Sequence, residues 1–294
     1  MVSNKIGTAV EWTLDIDTLS NEPRQVDLCE SAVVMLIDQS IFIYDRNSVF
    51  INSFSVKASN ISGIACGNNQ VFVTGYRQVS ANLQQPFLES YTNLGELNWK
   101  NWGWSAAEAI SVNSTADSRG LRVRFSQDEH LYFAGSTDGG NNTFRFNPQD
   151  LNVLANTISF DEYNQPFGFS GSPRFSYYAK IDPINGNLIQ GQFLLTRLTN
   201  GNGNSITIDS IAINQNGHML AGGQAFASID KRNDLTVNGT DVAPYAGADP
   251  YIINVSTDYM SRSAWHVFNF DAARGRINAV ENWNGLNVFV AHIT

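Results

Sequence analysis

Along most of this chain hydrophobic side chains alternate with polar ones, and Asn, Gly, Asp or Ser breaks the alternation at short intervals. That pattern predicts short half-buried strands joined by tight turns. Four segments repeat one arrangement: an alternating strand, a polar turn, then a continuously apolar strand ending in small residues. They occupy 61–66 with 71–75, 121–125 with 131–135, 208–213 with 219–223, and 277–280 with 288–291. A shorter copy at 26–29 with 33–37 sits near the start, and placing Val34 on Val71 also places Cys29 on Cys66.

Second hairpins follow these pairs, at 41–44 with 48–52, 87–91 with 96–100, 176–181 with 188–193, and 251–255 with 263–268. Asn, Gly and Asp-Pro turns join them. The repeated unit is therefore a four-stranded antiparallel meander, A-B-C-D, which is the blade of a β-propeller. The last copy stops after its B strand. The chain opens with an orphan hairpin, 2–6 and 9–16 around Gly7 and Thr8, which has the form of a missing C-D pair. If these N-terminal strands complete the C-terminal blade, the ring closes with no exposed edge. The expectation is an all-β fold: one five-bladed propeller over 1–294, closed by a shared blade.

Three stretches, LYFAGST at 131–137, YYAKIDPINGNLI at 177–189 and IAINQNGHMLAGG at 211–223, resemble the SBBP-type bacterial β-propeller repeat. Segment 247–265, with Gly-Ala-Asp-Pro-Tyr and Trp265, is similar to that repeat's second half. The resemblance implies a propeller, frequent occurrence in exported or surface proteins, and no single activity. It carries over no catalytic residues, and five blades depart from the seven it suggests.

Composition narrows the function classes. With 18 basic against 27 acidic side chains and a net charge of -9, the chain suits a nucleic-acid backbone poorly. No run approaches the ~18 apolar residues needed to span a bilayer. Hydrophobic residues at 43% and charged residues at 15% exclude a disordered chain. Two cysteines are too few for a disulfide framework or a zinc site, so Cys29 and Cys66 read as small buried hydrophobes ahead of a functional pair. Residues 1–7 carry no apolar signal segment, which suits either an internal or virion protein or one whose export signal was removed. The resemblance and low cysteine content tilt the expectation toward an extracellular or cell-surface setting. Sequons at Asn60, Asn113, Asn141, Asn238 and Asn254 are few enough to arise from composition alone.

In a meander blade the A-B and C-D turns share one face of the disc, and the B-C and D-A connections share the other. The long connections, 76–86, 136–175, 224–250 and 102–120, all fall on the second face, where binding loops concentrate. Aromatic and Arg residues there suit binding. They give a candidate ligand or partner site of Tyr76, Arg77, Trp102, Trp104, Phe144, Arg145, Tyr163, Phe167, Phe169, Lys231 and Arg232, although the same aromatics equally serve as loop core.

Candidate chemistry is thin. No two histidines share metal-ligand spacing, so no metal or cofactor is expected. Calcium is conceivable at Asp15, Asp17 and Glu22 or at the Asp138 turn. Five-bladed propellers house glycosidases with paired carboxylates at the central channel, but the A strands are apolar or small there, except at Asp27 and Asp209. No nucleophile elbow or phosphate-cradling loop is present. The leading expectation is a non-catalytic recognition module that binds a glycan or protein through the long-loop face. A structural subunit of a surface layer, filament or virion, with self-association, is the alternative, and a glycan-processing enzyme ranks third.

Overall fold

A computed structural model describes residues 2–6, 9–14, 23–139, 141–155, 173–198, 200, 202–229, 236–237, 240–241, 247–267, 274–283 and 286–293. The N-terminal hairpin is β1 (Val2–Ile6) and β2 (Ala9–Leu14). The first sheet holds β3 (Gln25–Leu28), β4 (Ala32–Ile37), β5 (Ser40–Asp45) and β6 (Phe50–Ser55). The second holds β7 (Asn60–Gly67), β8 (Gln70–Ser80), β9 (Leu83–Thr92) and β10 (Leu97–Trp102), and a short helix α1 (Ala106–Ser111) follows it.

The third sheet begins with β11 (Ser118–Phe125) and β12 (Leu131–Asp138). An excursion with a 3-10 turn at Thr143–Arg145 and a small hairpin, β13 (Phe146–Asn147) and β14 (Asp150–Leu154), precedes β15 (Arg174–Ile181) and β16 (Leu188–Leu194). Short strands β17 (Thr196–Arg197) and β18 (Gly203–Asn204) lead to β19 (Ile206–Ile213) and β20 (Met219–Ala225) of the fourth sheet. Three more short strands, β21 (Ser228–Ile229), β22 (Thr236–Val237) and β23 (Thr240–Asp241), come before β24 (Asp249–Val255) and β25 (Arg262–Val267). The last hairpin is β26 (Gly275–Trp283) and β27 (Leu286–Ile293).

Four sheets are four-stranded antiparallel meanders in the expected order. Second strands β4, β8, β12 and β20 carry the continuous apolar runs because each lies in mid-sheet, where neighbouring strands and the packed sheets cover it, and their apolar stretches are buried throughout. The core accordingly divides into four clusters, one between each successive pair: Val34 with Ile64, Phe72 with Phe133, Tyr178 with Ile208, and Ala212 with Ile277. Sheets stacked face to face in sequence order are propeller blades.

First strands share one irregularity. In β7, β11, β19 and β26 the register with the second strand slips by one residue, at Ser62, Leu121, Asp209 and Asn278. These bulges turn one extra side chain out of the ladder. They also bring second-strand glycines onto the backbone: a Cβ on Gly75 would collide with the Asn60 carbonyl, and one on Gly223 with the Thr207 carbonyl. Only glycine fits that approach.

Two expectations need correction. Residues 76–86 are not a long connection, because β8 runs through Ser80 and β9 starts at Leu83, leaving a two-residue turn. Gln78, Gln84 and Ser80 look like loop residues in sequence but pair across this hairpin's exposed extension. Cys29 and Cys66 are not separate hydrophobes; they form a disulfide with Cα atoms 5.6 Å apart, joining the first sheet to the second. The two terminal hairpins, β1–β2 and β26–β27, form separate two-stranded sheets with no pairing between them among the described residues.

Candidate functional site

Five first strands, β3, β7, β11, β19 and β26, run side by side in the same direction. Side chains, rather than a further strand, satisfy their inner edges. The Gln25 Oε1 accepts from the Ile64 N–H at 3.0 Å, and the Asp27 Oδ2 accepts from the Cys66 N–H at 2.8 Å. The Ser62 Oγ donates to the Gly120 carbonyl at 2.6 Å, and the Arg122 Nη1 donates to the Ser62 carbonyl at 3.2 Å. The Arg124 Nε donates to the Ile211 carbonyl at 3.4 Å, and the Ser210 Oγ accepts from the Val280 N–H at 3.2 Å. Each bond removes an exposed backbone group from a strand edge that the splay of neighbouring blades leaves unpaired.

Where these strands end, a cavity of about 320 Å³ opens, lined by Asp27, Arg124, Phe125, Ser126, Gln127, Ala212, Ile213, Asn214, Gln215, Glu281 and Asn282. Its walls come from the first, third and fourth sheets and the last hairpin, so β3 and β26 both contribute to its lining. Arg124 Nη1 stands 3.8 Å from the Asp27 carboxylate. Burial raises the Asp27 pKa above the ordinary carboxylate value and Glu281 adds to the rise; the Cys66 N–H and Arg124 oppose it. Deeper along the strands, the bulged Asp209 pairs with Arg276 at 2.9 Å, and burial raises its pKa against the pull of Arg276 and Thr207.

Two carboxylates, a guanidinium, several amides and one aromatic ring thus surround a space the size of one sugar ring or one long side chain. They offer paired acceptors, fixed donors and a stacking face.

Of the described residues chosen from sequence, Trp102, Trp104 and Phe144 are buried, whereas Tyr76, Arg77 and Arg145 stay partly exposed. Trp102, Trp104 and Phe144 are buried between the second and third sheets, with the Trp102 ring 4.7 Å from Phe133 and 5.3 Å from Phe144. Arg77 lies over the Phe87 ring at 4.3 Å and binds both Glu89 carboxylate oxygens, at 2.8 and 2.9 Å. Tyr76 is half-buried beneath the Arg119 guanidinium, 5.8 Å from its ring centre. Arg145 is half-buried at the end of the 3-10 turn, and burial lowers its pKa. Tyr163, Phe167, Phe169, Lys231 and Arg232 lie outside the described residues, as do Asp15, Asp17 and Glu22.

Asp138 spends its carboxylate on Arg174, 3.4 Å away. Among the described residues no group of three or more His, Cys, Asp or Glu could hold a metal ion. The sequon at Asn141 is buried, its amide donating to Ser118 Oγ at 2.7 Å, so it is no glycan acceptor.

Sequence reasoning noted Asp27 and Asp209 but missed Arg122, Arg124, Arg276 and Glu281. A partial signal was present: Gln25 and Asp27 of β3 and Arg122 and Arg124 of β11 put polar residues two apart at the same stage, but β7 between them carries Ser62 and Ile64 there. The bulge at Asp209 breaks that spacing and hides its membership.

No family model matches the sequence, so the SBBP-type likeness rests on the quoted segments alone. No curated protein matches it either. Among solved structures, the WD40 domain of Neurospora crassa Pan2 is 13% identical with a TM-score of 0.46, over 92% of this chain and 61% of that one. The Dos1 propeller is 9% identical at 0.40, over 85% and 47%, and hydrazine synthase of Kuenenia stuttgartiensis 9% identical at 0.44, over 96% and 66%. The chain spans about half to two thirds of the length of these structures.

Proposed function

We propose that this chain is a non-catalytic recognition module, a single five-bladed propeller over 1–294 that takes a glycan unit or a partner's side chain into its axial cavity. The observation that carries the reading is the cavity itself, where four of the five first strands converge charged and amide groups on one ligand-sized space. Ring closure is part of the reading: β1 and β2 complete the blade begun by β26 and β27. Its support is that β3 and β26, first and last of their kind, line the same cavity. The long-loop face, through Tyr76, Arg77 and Arg145, is a second contact surface in this reading. An extracellular or cell-surface setting is supported by the Cys29–Cys66 disulfide, since such bonds persist in oxidising compartments.

The test is a glycan array probed with the purified chain and with Arg124→Ala and Glu281→Gln. The expected result is a sugar bound and recovered unhydrolysed, with affinity falling roughly ten-fold when either charged contact is removed. Hydrolysis of the bound sugar would make the chain an enzyme, and binding indifferent to both substitutions would remove the cavity from the account.

A further inference from the structure

Resting on that reading, we infer that the cavity-bearing face docks a protein partner that carries basic side chains among apolar ones. Because the first strands run in one direction, the described A-B and C-D turns of the four four-stranded sheets emerge on the same face as the cavity. Each described C-D turn exposes one large apolar residue: Val49 at 60%, Leu94 at 71%, Ile184 at 72% and Met260 at 52%. A single exposed Leu or Val needs no explanation, but the same placement in four successive blades does.

These tips are also held in the same way. The Val49 N–H donates to Asp45 Oδ1 at 2.8 Å, the Leu94 N–H to Thr92 Oγ1 at 3.2 Å, the Ile184 N–H to Asp182 Oδ1 at 2.8 Å, and the Met260 N–H to Asp258 Oδ1 at 3.0 Å. Anchors fixed before contact lose little freedom on binding, which is the economy of a preorganised interface.

Charge selects the occupant. The face exposes one carboxylate from each of the four sheets and one from the last hairpin: Glu30, Glu96, Glu129, Asp258 and Glu281. Facing them, Arg124 is engaged with Asp27, and Arg46 is half-buried with its Nε donating to the Glu30 carbonyl at 3.2 Å. Such a surface repels a second copy of itself and an anionic lipid surface, and attracts basic groups. A free sugar would use the cavity but gain nothing from a ring of apolar tips around it. A protein with basic and apolar side chains uses both.

The probe is a fluorescein-labelled peptide of alternating leucine and arginine, titrated by fluorescence anisotropy beside an arginine–serine peptide of equal length. The leucine–arginine peptide is expected to bind at least ten-fold tighter. Leu94→Ser with Ile184→Ser, both at exposed turn tips, should cost it about ten-fold, and affinity should fall as salt rises from about 0.05 to 0.3 M. Equal binding of the two peptides, or a double variant that binds as the parent does, overturns the docking surface. Sugar binding in the cavity without peptide binding overturns it too, while leaving the recognition module standing. Absence of both ligands removes both.

Discussion

Burial raises the pKa of Asp27, and the Cys66 N–H and Arg124 only partly offset it. The charged form of this residue is therefore less favoured in the fold than in the unfolded chain. Its contribution to stability is complete below the unfolded value, about pH 4, and is lost as pH rises through the higher folded value. Asp27→Asn keeps an acceptor for the Cys66 N–H but cannot ionise. Relative to the parent it is expected to gain about 2–4 °C in melting temperature between pH 4 and pH 7. A melting difference that stays constant over that range would show that burial does not dominate. At this scale the sequence was partly legible. Asp27 and Asp209 stand out as carboxylates in otherwise apolar or small strands, whereas the arginines that answer them show only the two-residue spacing of Arg122 and Arg124, which any half-exposed strand shares. Their partners come from other strands, and pairing across 60 or more residues leaves no local trace.

Hairpins were the most legible elements, because two-residue alternation and turn chemistry are both local properties. The four meanders, with the same strand order, appear in the structure. What local pattern could not reveal was which strand ends touch. Cys29 lies just beyond β3 and Cys66 within β7, at matching stages of two repeats, and only the parallel packing of first strands brings them together. The bond closes a loop with a sequence separation of 37, so Cys29→Ser with Cys66→Ser is expected to lower unfolding stability by on the order of 3–4 kcal/mol. Denaturant titration of parent and double variant measures it. Two thiols that alkylate in the native, unreduced protein would show that the bond does not form. The excursion 136–175 was legible as an insertion, and its aromatics divided: Phe144 became core, while Tyr163, Phe167 and Phe169 lie outside the described residues.

For the whole molecule, the seam between first and last blades carries the proposed closure. Val26 and Leu28 of β3 and Leu286, Val288 and Val290 of β27 are exposed apolar residues, unlike their counterparts on the inner blades. In the closed ring that we propose, β1 and β2 would lie along β27 and protect its edge. A chain lacking residues 1–14 is expected to melt at least about 5 °C lower and to self-associate, with a synthetic 1–16 peptide restoring the parent melting temperature. Identical melting of the truncated chain would mean that these strands do not complete the ring.

The bonds that cap the first-strand edges join residues separated by 39, 58, 70 and 87 positions. Contacts so distant along the chain form only after the intervening segments have been ordered, and such topologies fold slowly. The wall of the cavity can therefore close only after the strands that build it have formed. Blades can form as local hairpins while the chain is still incomplete, but the cavity exists only once they have gathered around it. Occupancy of the cavity would thus report a finished fold, and a partly folded chain would be silent however many of its hairpins were native.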